Sequence, residues 1–175
     1  MLFRQLIDSE TCTFTYLLAD SESKEAVLID PVLEQVERDL RLLKELGLKL
    51  LYLVETHVHA DHITGAAQIK KKTGAQTVVS QRAGVTNADL VLKTGDRLHF
   101  GTHHLEARET PGHTGGCMTL ITQHQNQTLA FTGDALFIRG CGRTDFQEGS
   151  PETLYSSVHE HIFSLPDNTL IYPGH

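Results

Sequence analysis

The sequence predicts an α+β fold in which two β-sheets pack face to face and helices cover their outer faces. Three observations predict it. Short apolar runs of strand length recur in both halves of the chain. Each half also carries one or two stretches of helical periodicity, and glycine, proline and polar clusters separate the runs. No low-complexity linker or short-period repeat interrupts the series, so residues 1–175 read as a single domain. At 39% hydrophobic and 21% charged residues, the chain has enough apolar material for a core.

Taken in order, residues 14–19 (FTYLLA) and 26–30 (AVLID) flank the polar SESKE turn as a hairpin, and Pro31 ends the second run. Between Glu34 and Leu46, the residues Val36, Leu40, Leu43 and Leu46 fall at helical spacing, and Gly47 stops the helix. Residues 50–54 (LLYLV) form a continuous apolar run, typical of a strand covered on both faces. From His62 to Thr73, Ile63, Ala66, Ala67 and Ile69 predict a second helix that Gly74 ends. Residues 77–80 are a strand, and residues 97–100 and 104–109 are strands around the Gly101 turn. Residues 118–122 and 128–132 form a hairpin across the polar HQNQ. Ser150, Pro151 and Glu152 open a helix: serine caps, proline fits the first turn, and glutamate favours the positive end of the dipole. Leu154, Val158 and Ile162 continue one face of it, and residues 169–172 are a last strand.

The formal net charge of −7 argues against a general nucleic-acid binder, which needs an excess of lysine and arginine. A small anionic substrate needs only one or two local cations. No apolar run reaches the roughly 18 residues of a spanning helix, and MLFRQLIDSE has no stretch suited to a signal peptide. Neither nucleic acid nor membrane is therefore expected as a partner. Cys12, Cys117 and Cys141 are an odd, widely spaced set, which points to a reducing compartment: the cytoplasm, or the mitochondrial matrix if the source is eukaryotic. Cys12, near a strand start, reads as a small core or edge residue. Eleven histidines against no tryptophan is the compositional oddity.

Four apolar runs each end in a turn that carries histidine or aspartate. LLYLV leads to His57, His59, Asp61 and His62, and HHLEARE leads to His113. TLAFTG leads to Asp134, and TLIYPG leads to His175. If these strands lie side by side in a common direction, their ends meet at one sheet edge, where open-sheet folds keep their sites. His57 and His59 are two apart in an extended segment and can aim together, with Asp61 and His62 where the next helix begins. Imidazole and carboxylate at about 2.0–2.2 Å suit Zn²⁺, and the same donors suit Fe and Mn. A solvated polar loop would explain one such histidine but not seven ligand-type residues at four strand ends. His99, His103, His104, His124, His159 and His161 read instead as mostly solvated side chains.

THVHADH, TPGHTGG, FTGDALF and IYPGH, in this order, resemble the successive motifs of the metallo-β-lactamase superfamily. The resemblance implies an αββα sandwich of two mixed sheets with a metal cleft at one edge. Two branches come into question. Similarity to glyoxalase II-like thioesterases implies two metals, such as two Zn, on His57, His59 and His113 and on Asp61, His62 and His175, with Asp134 between them. A metal-activated water would then hydrolyse a glutathione thioester. Similarity to persulfide dioxygenases of the ethylmalonic encephalopathy protein type implies a single Fe(II) on His57, His113 and Asp134. His59, Asp61, His62 and His175 would then surround the site or go unused.

GCGRTDFQ, from Gly140 to Gln147, is similar to the dioxygenase version, as are FRQL, TFTYLLAD and ETHVHADHITG, so the likeness covers residues 1–175. The function it implies is oxidation of glutathione persulfide with O2 to sulfite and glutathione, as in sulfide detoxification. The alternatives are the two-metal hydrolase and a non-catalytic remnant of the fold. Two histidines and one carboxylate leave coordination positions for O2 and for the substrate sulfur. Arg143 is expected to pair with the anionic carrier, or else to be a buried tie between its loop and the sheet. Cys141 is expected to shape the sulfur pocket or to fill space between glycines. Persulfide, O2 and, in one reading, a second copy of the chain are the partners. Relatives in this family continue past PGH with an Asp-Tyr pair and further helical residues, and the domain as read lacks that extension.

Overall fold

A computed structural model describes residues 1–175. Its eleven strands form two sheets. The first sheet has the order β1 (Leu2–Ile7), β2 (Phe14–Ala19), β3 (Glu25–Ile29), β4 (Lys49–Val54), β5 (Gln76–Ser80) and β6 (Leu90–Leu92). β1 to β3 are antiparallel neighbours, and β3 to β6 are parallel. The second sheet has the order β11 (Leu170–Pro173), β10 (Gln127–Gly133), β9 (Met118–His124), β8 (His103–Glu109) and β7 (Arg97–Phe100). Only its β10–β11 pair is parallel. Both sheets are therefore mixed, as the family resemblance implies.

The continuous apolar runs explain the layers, because strands buried on both faces serve two neighbours. Inward residues of the first sheet, such as Tyr16, Leu18, Val27, Ile29 and Val54, meet Phe100, Leu105, Leu120 and Phe131 of the second in one buried cluster. Each large apolar side chain buried this way stabilises the fold by roughly 1.5–3 kcal/mol. The other face of the first sheet, with Leu17, Leu28 and Leu53, is covered by helices α1 (Val36–Glu45) and α2 (Ala66–Thr73) through Val36, Leu43, Ala66 and Ile69. Helix α3 (Pro151–Ser157) and the wider turn that follows it cover the second sheet with Leu154, Val158 and Ile162. The Ser150 hydroxyl caps α3 by accepting from Thr153 N at 3.2 Å, as its sequence predicts.

The structure departs from the sequence reading at four points. β1 and β6 were not expected. LFRQLI does not alternate cleanly and lies at a sheet edge, and β6 has only three residues, too few for a periodicity. α2 starts at Ala66 rather than His62. The backbone just before it is used elsewhere: Leu33 N donates to Ile63 O at 2.9 Å, and Gly65 N donates to Pro31 O at 2.7 Å. These bonds hold residues 61–65 as a loop against the exit of β3. Cys12 is neither core nor edge; it is exposed, on a turn with φ +60°.

Candidate metal centre

The four ligand-bearing strands do point to one edge, but not as neighbours in one sheet. β4 belongs to the first sheet, whereas β8, β10 and β11 belong to the second, with β9 between β8 and β10. The site lies where the two sheets face each other. Tyr16 of the first sheet donates its hydroxyl to Pro173 O at 2.5 Å, and Phe14 N donates to Gly174 O at 2.8 Å. These bonds fix the end of β11, and with it His175, against the first sheet.

His57, His113 and Asp134 bring one donor atom each within 4.8 Å of one another. Asp134 Oδ2 lies 3.5 Å from His113 Nε2 and 3.9 Å from His57 Nε2. The two rings stand nearly perpendicular with centroids 5.0 Å apart. Each histidine is held through its other nitrogen. His113 Nδ1 donates to Arg143 O at 2.7 Å. Asp30 accepts from Thr56 Oγ1 at 2.8 Å, so the Thr56 oxygen is left to accept from His57 Nδ1 at 3.0 Å. Both assignments follow from the hydrogen-bond network and leave the Nε2 lone pairs facing the carboxylate. Burial, and then the charge of His59, push the His57 pKa well below its ordinary value, so that ring is a neutral donor. Two glycines make room for the group. A Cβ on Gly142 would stand 2.7 Å from His113 Nδ1, and one on Gly174 would stand 2.5 Å from Asp134 Oδ1.

The fit to a cation is tested by what these atoms lack. His57 Nε2 and Asp134 Oδ1 are buried without any hydrogen-bond partner. Buried polar atoms left unpaired are costly, and burial accordingly raises the Asp134 pKa against the pull of His175 and His113. A cation among the three donors satisfies His57 Nε2 and neutralises the Asp134 carboxylate through Oδ2, while Oδ1 faces His175 Nε2 at 3.6 Å, and two imidazoles with one carboxylate suit iron as well as zinc. The donors therefore fit a metal cofactor.

A second group gathers beside the first. Donor atoms of His59, Asp61 and His62 also lie within 4.8 Å of one another. His62 Nδ1 bonds Asp61 Oδ2 at 2.9 Å, and His62 Nε2 and His59 Nδ1 have no partner. His175 Nε2 is 3.6 Å from both Asp61 and Asp134, between the two groups. His57 and His59 have rings 4.1 Å apart but do not aim together. His59 Nε2 turns back to Asp30 at 3.1 Å and to Glu55 at 3.3 Å.

Asp30 and Glu55 escape the sequence reading. Asp30 is 1% exposed and accepts from Thr56 N, Thr56 Oγ1 and His59 Nε2. Burial pushes its pKa up, but the charge and hydrogen bond of His59 together with the Thr56 N–H and smaller contributions lower it overall. Glu55 is buried, accepts from the Thr64 hydroxyl, and is pushed up by burial despite His59. Opposed by burial but helped more by Asp30 and then Glu55, His59 is raised well above the ordinary histidine range. A signal for Asp30 was available: it follows the apolar run of β3 as Asp134 follows that of β10.

A cleft of about 510 Å³ opens over the site, lined by His113, Asp134, Phe137, Cys141, Arg143 and His175. Cys141 is exposed on its rim and so does not fill space between glycines. The Arg143 side chain is 67% exposed and grips Asp145 through two bonds of 2.8 and 3.0 Å. A buried guanidinium tying the loop to the sheet is thus not what forms. The tie comes from the Arg143 carbonyl, through His113. Among the other histidines, His99, His159 and His161 are exposed or half-buried, and His103 approaches Asp20 at 3.6 Å.

Residues 13–175 match the metallo-beta-lactamase superfamily. The chain is 58% identical to the persulfide dioxygenase ETHE1, mitochondrial, of Mus musculus, over all of the chain and 68% of that protein. It is 37% identical to a hydroxyacylglutathione hydrolase of Polaromonas sp., over 93% of the chain and 61% of that protein. The crystal structure of ETHE1 from Myxococcus xanthus superposes with a TM-score of 0.95 at 47% identity, covering the whole chain and 76% of that structure.

Proposed function

The chain belongs to the metallo-beta-lactamase superfamily and, within it, to the persulfide dioxygenases, and from that membership we infer that it holds one Fe(II) on His57, His113 and Asp134. Its reaction is the dioxygenation of a persulfide: persulfide, O2 and water become thiol, sulfite and two protons. Glutathione persulfide is the substrate proposed. The observation that carries the single-iron reading is the convergence of His113 Nε2 and of the buried, unpartnered His57 Nε2 on Asp134 Oδ2, at 3.5 and 3.9 Å. The cytoplasm or the mitochondrial matrix is the proposed location, both reducing, which suits three free cysteines. No helix is long and apolar enough to cross a membrane.

When bound, Fe(II) would supply the unpaired d electrons that let triplet O2 react with a closed-shell sulfur anion, the sulfur itself being the reductant. The chain's own residues supply orientation. Thr56 and the Arg143 carbonyl keep the protons of His57 and His113 on Nδ1, away from the donors. Phe137 and Phe146 line the cleft and reduce water around the reacting sulfur. Arg143, exposed at the same cleft, meets the carrier's carboxylate by exchanging its Asp145 partner for it.

The second group, His59, Asp61 and His62, is the observation that favours a two-metal hydrolase. The higher identity to the dioxygenase weighs against it. Purification without air followed by metal quantification and an oxygen-electrode assay tests the choice. One iron per chain and O2 uptake with glutathione persulfide are expected. Two tightly held zinc ions with thioester hydrolysis would overturn the reading.

Arg143→Lys gives a further expectation. Lysine keeps the charge but not the planar two-bond grip. The kcat/KM for glutathione persulfide should fall on the order of 10- to 100-fold, as expected for one charged hydrogen bond. Because the side chain is exposed, iron content and melting temperature should stay as in the wild type. A lowered melting temperature with unchanged kinetics would make Arg143 structural.

A further inference from the structure

A separate cavity of about 260 Å³ abuts the metal edge. Val58 and Thr114 form part of its wall and are next in sequence to His57 and His113. Its other side comes from the loop that borders the cleft: Arg143 and Phe146 line the cleft, and Gln147 and Glu148 line this cavity. Cleft and cavity are therefore neighbours along one loop, and a thiol peptide with its sulfur at the metal can reach both.

The cavity has polar groups with no use inside the protein. Gln147 and Glu148 are consecutive non-glycine residues with φ of +47° and +63°. Gly115 N, at 3.2 Å from Gln147 O, holds this turn against the loop that carries His113. Glu148 Oε2 lies 2.7 Å from where a Cβ on Gly115 would stand, so the carboxylate packs directly over this glycine. Gln147 Oε1 is buried and has no hydrogen-bond partner. Arg82, on the short turn after β5, brings a guanidinium to the same cavity. Unlike Arg143, which pairs with Asp145, neither Arg82 nor Glu148 enters an ion pair.

We propose that this cavity is a subsite for a zwitterionic amino-acid head group, with Arg82 taking the carboxylate, Glu148 the ammonium and Gln147 Oε1 an N–H. Opposite charges lining one cavity select a ligand that carries both, and a simple carboxylate meets repulsion from Glu148. The γ-glutamyl end of glutathione is such a head group. This assignment rests on the reading that the carrier is a thiol peptide of this kind. With Arg143 at the cleft, the carrier is held at both ends and its sulfur is presented to the metal between them.

Calorimetric titration of the iron-loaded enzyme without O2 tests it, using glutathione and N-acetyl-cysteinylglycine, which lacks the head group. Arg82→Ala and Glu148→Gln should each weaken glutathione binding about 10-fold, the scale of one charged hydrogen bond. Both should leave N-acetyl-cysteinylglycine binding and iron content as in the wild type. Unchanged glutathione binding, or equal weakening of both ligands, would overturn the subsite. O2 uptake by the wild type with glutathione persulfide is measured alongside. If it is normal while the variants bind glutathione as before, the subsite is wrong and the dioxygenase reading stands. If the head-group effect appears but no persulfide supports O2 uptake, the subsite stands and the substrate reading falls.

Discussion

Alanine at His113 or at Asp134 is expected to empty the metal centre. Each replacement removes one of three donors that converge within 4.8 Å. The loss of affinity should exceed the about 10–100-fold that residues around a metal typically cost when changed. His62→Ala should stay within that smaller range, because in the single-iron arrangement His62 only bonds Asp61 and Thr13 beside the site. The metal-free forms sharpen the test. Asp134 is a buried carboxylate with an unpartnered oxygen and a pKa raised by burial. Without metal it opposes folding, so Asp134→Ala apoprotein should melt no lower than wild-type apoprotein. Metal content after dialysis, competition with a chelator and thermal melts of the apo forms measure all of this. If His62→Ala empties the site as completely as His113→Ala, two metals share these donors.

The donor-bearing turns were legible because each stands directly after an apolar run, and strand direction carries such turns to an edge. That the edge is shared between two sheets was not legible, since no local pattern says which strands pair. The start of α2 was misread for a related reason. Ile63, Ala66, Ala67 and Ile69 keep helical spacing, but Gly65 N and Ile63 O are taken by Pro31 and Leu33, some thirty residues earlier in the chain. Asp30 and Glu55 were passed over because an acid after a strand has the same sequence appearance whether it faces water or supports a histidine. Only the fold, which brings Thr56 and His59 onto Asp30, separates the two cases. Arg82 and Glu148 illustrate the limit most plainly. They belong to different turns, and nothing in either segment announces the other.

Asp30→Asn should weaken metal binding although Asp30 is not one of the three donors. Asp30 stands at φ +50°, a conformation asparagine tolerates, so the backbone survives the replacement. The carboxylate accepts three bonds, from Thr56 N at 2.7 Å, Thr56 Oγ1 at 2.8 Å and His59 Nε2 at 3.1 Å. An amide has one oxygen. Placed on Thr56 N, it leaves the NH2 facing the Thr56 hydroxyl; the opposite orientation sets two donors against each other. The hydroxyl must then accept from Asn and donate to His57 Nδ1, which moves the ring proton to Nε2. The relay runs backwards, and a proton points where the metal lone pair was needed. Metal affinity should fall by about 10–100-fold, the usual cost of a wrongly held ligand. Asp30→Ala should instead act on the fold. It strips Thr56 N and the charged His59 of their shared acceptor, which costs on the order of 3–5 kcal/mol when a buried charge loses its partner. Melting of the apoproteins separates the two variants, and nitrogen chemical shifts of His57 report which nitrogen carries the proton. An Asp30→Asn protein that keeps the proton on Nδ1 and binds metal like the wild type would remove Asp30 from control of the site.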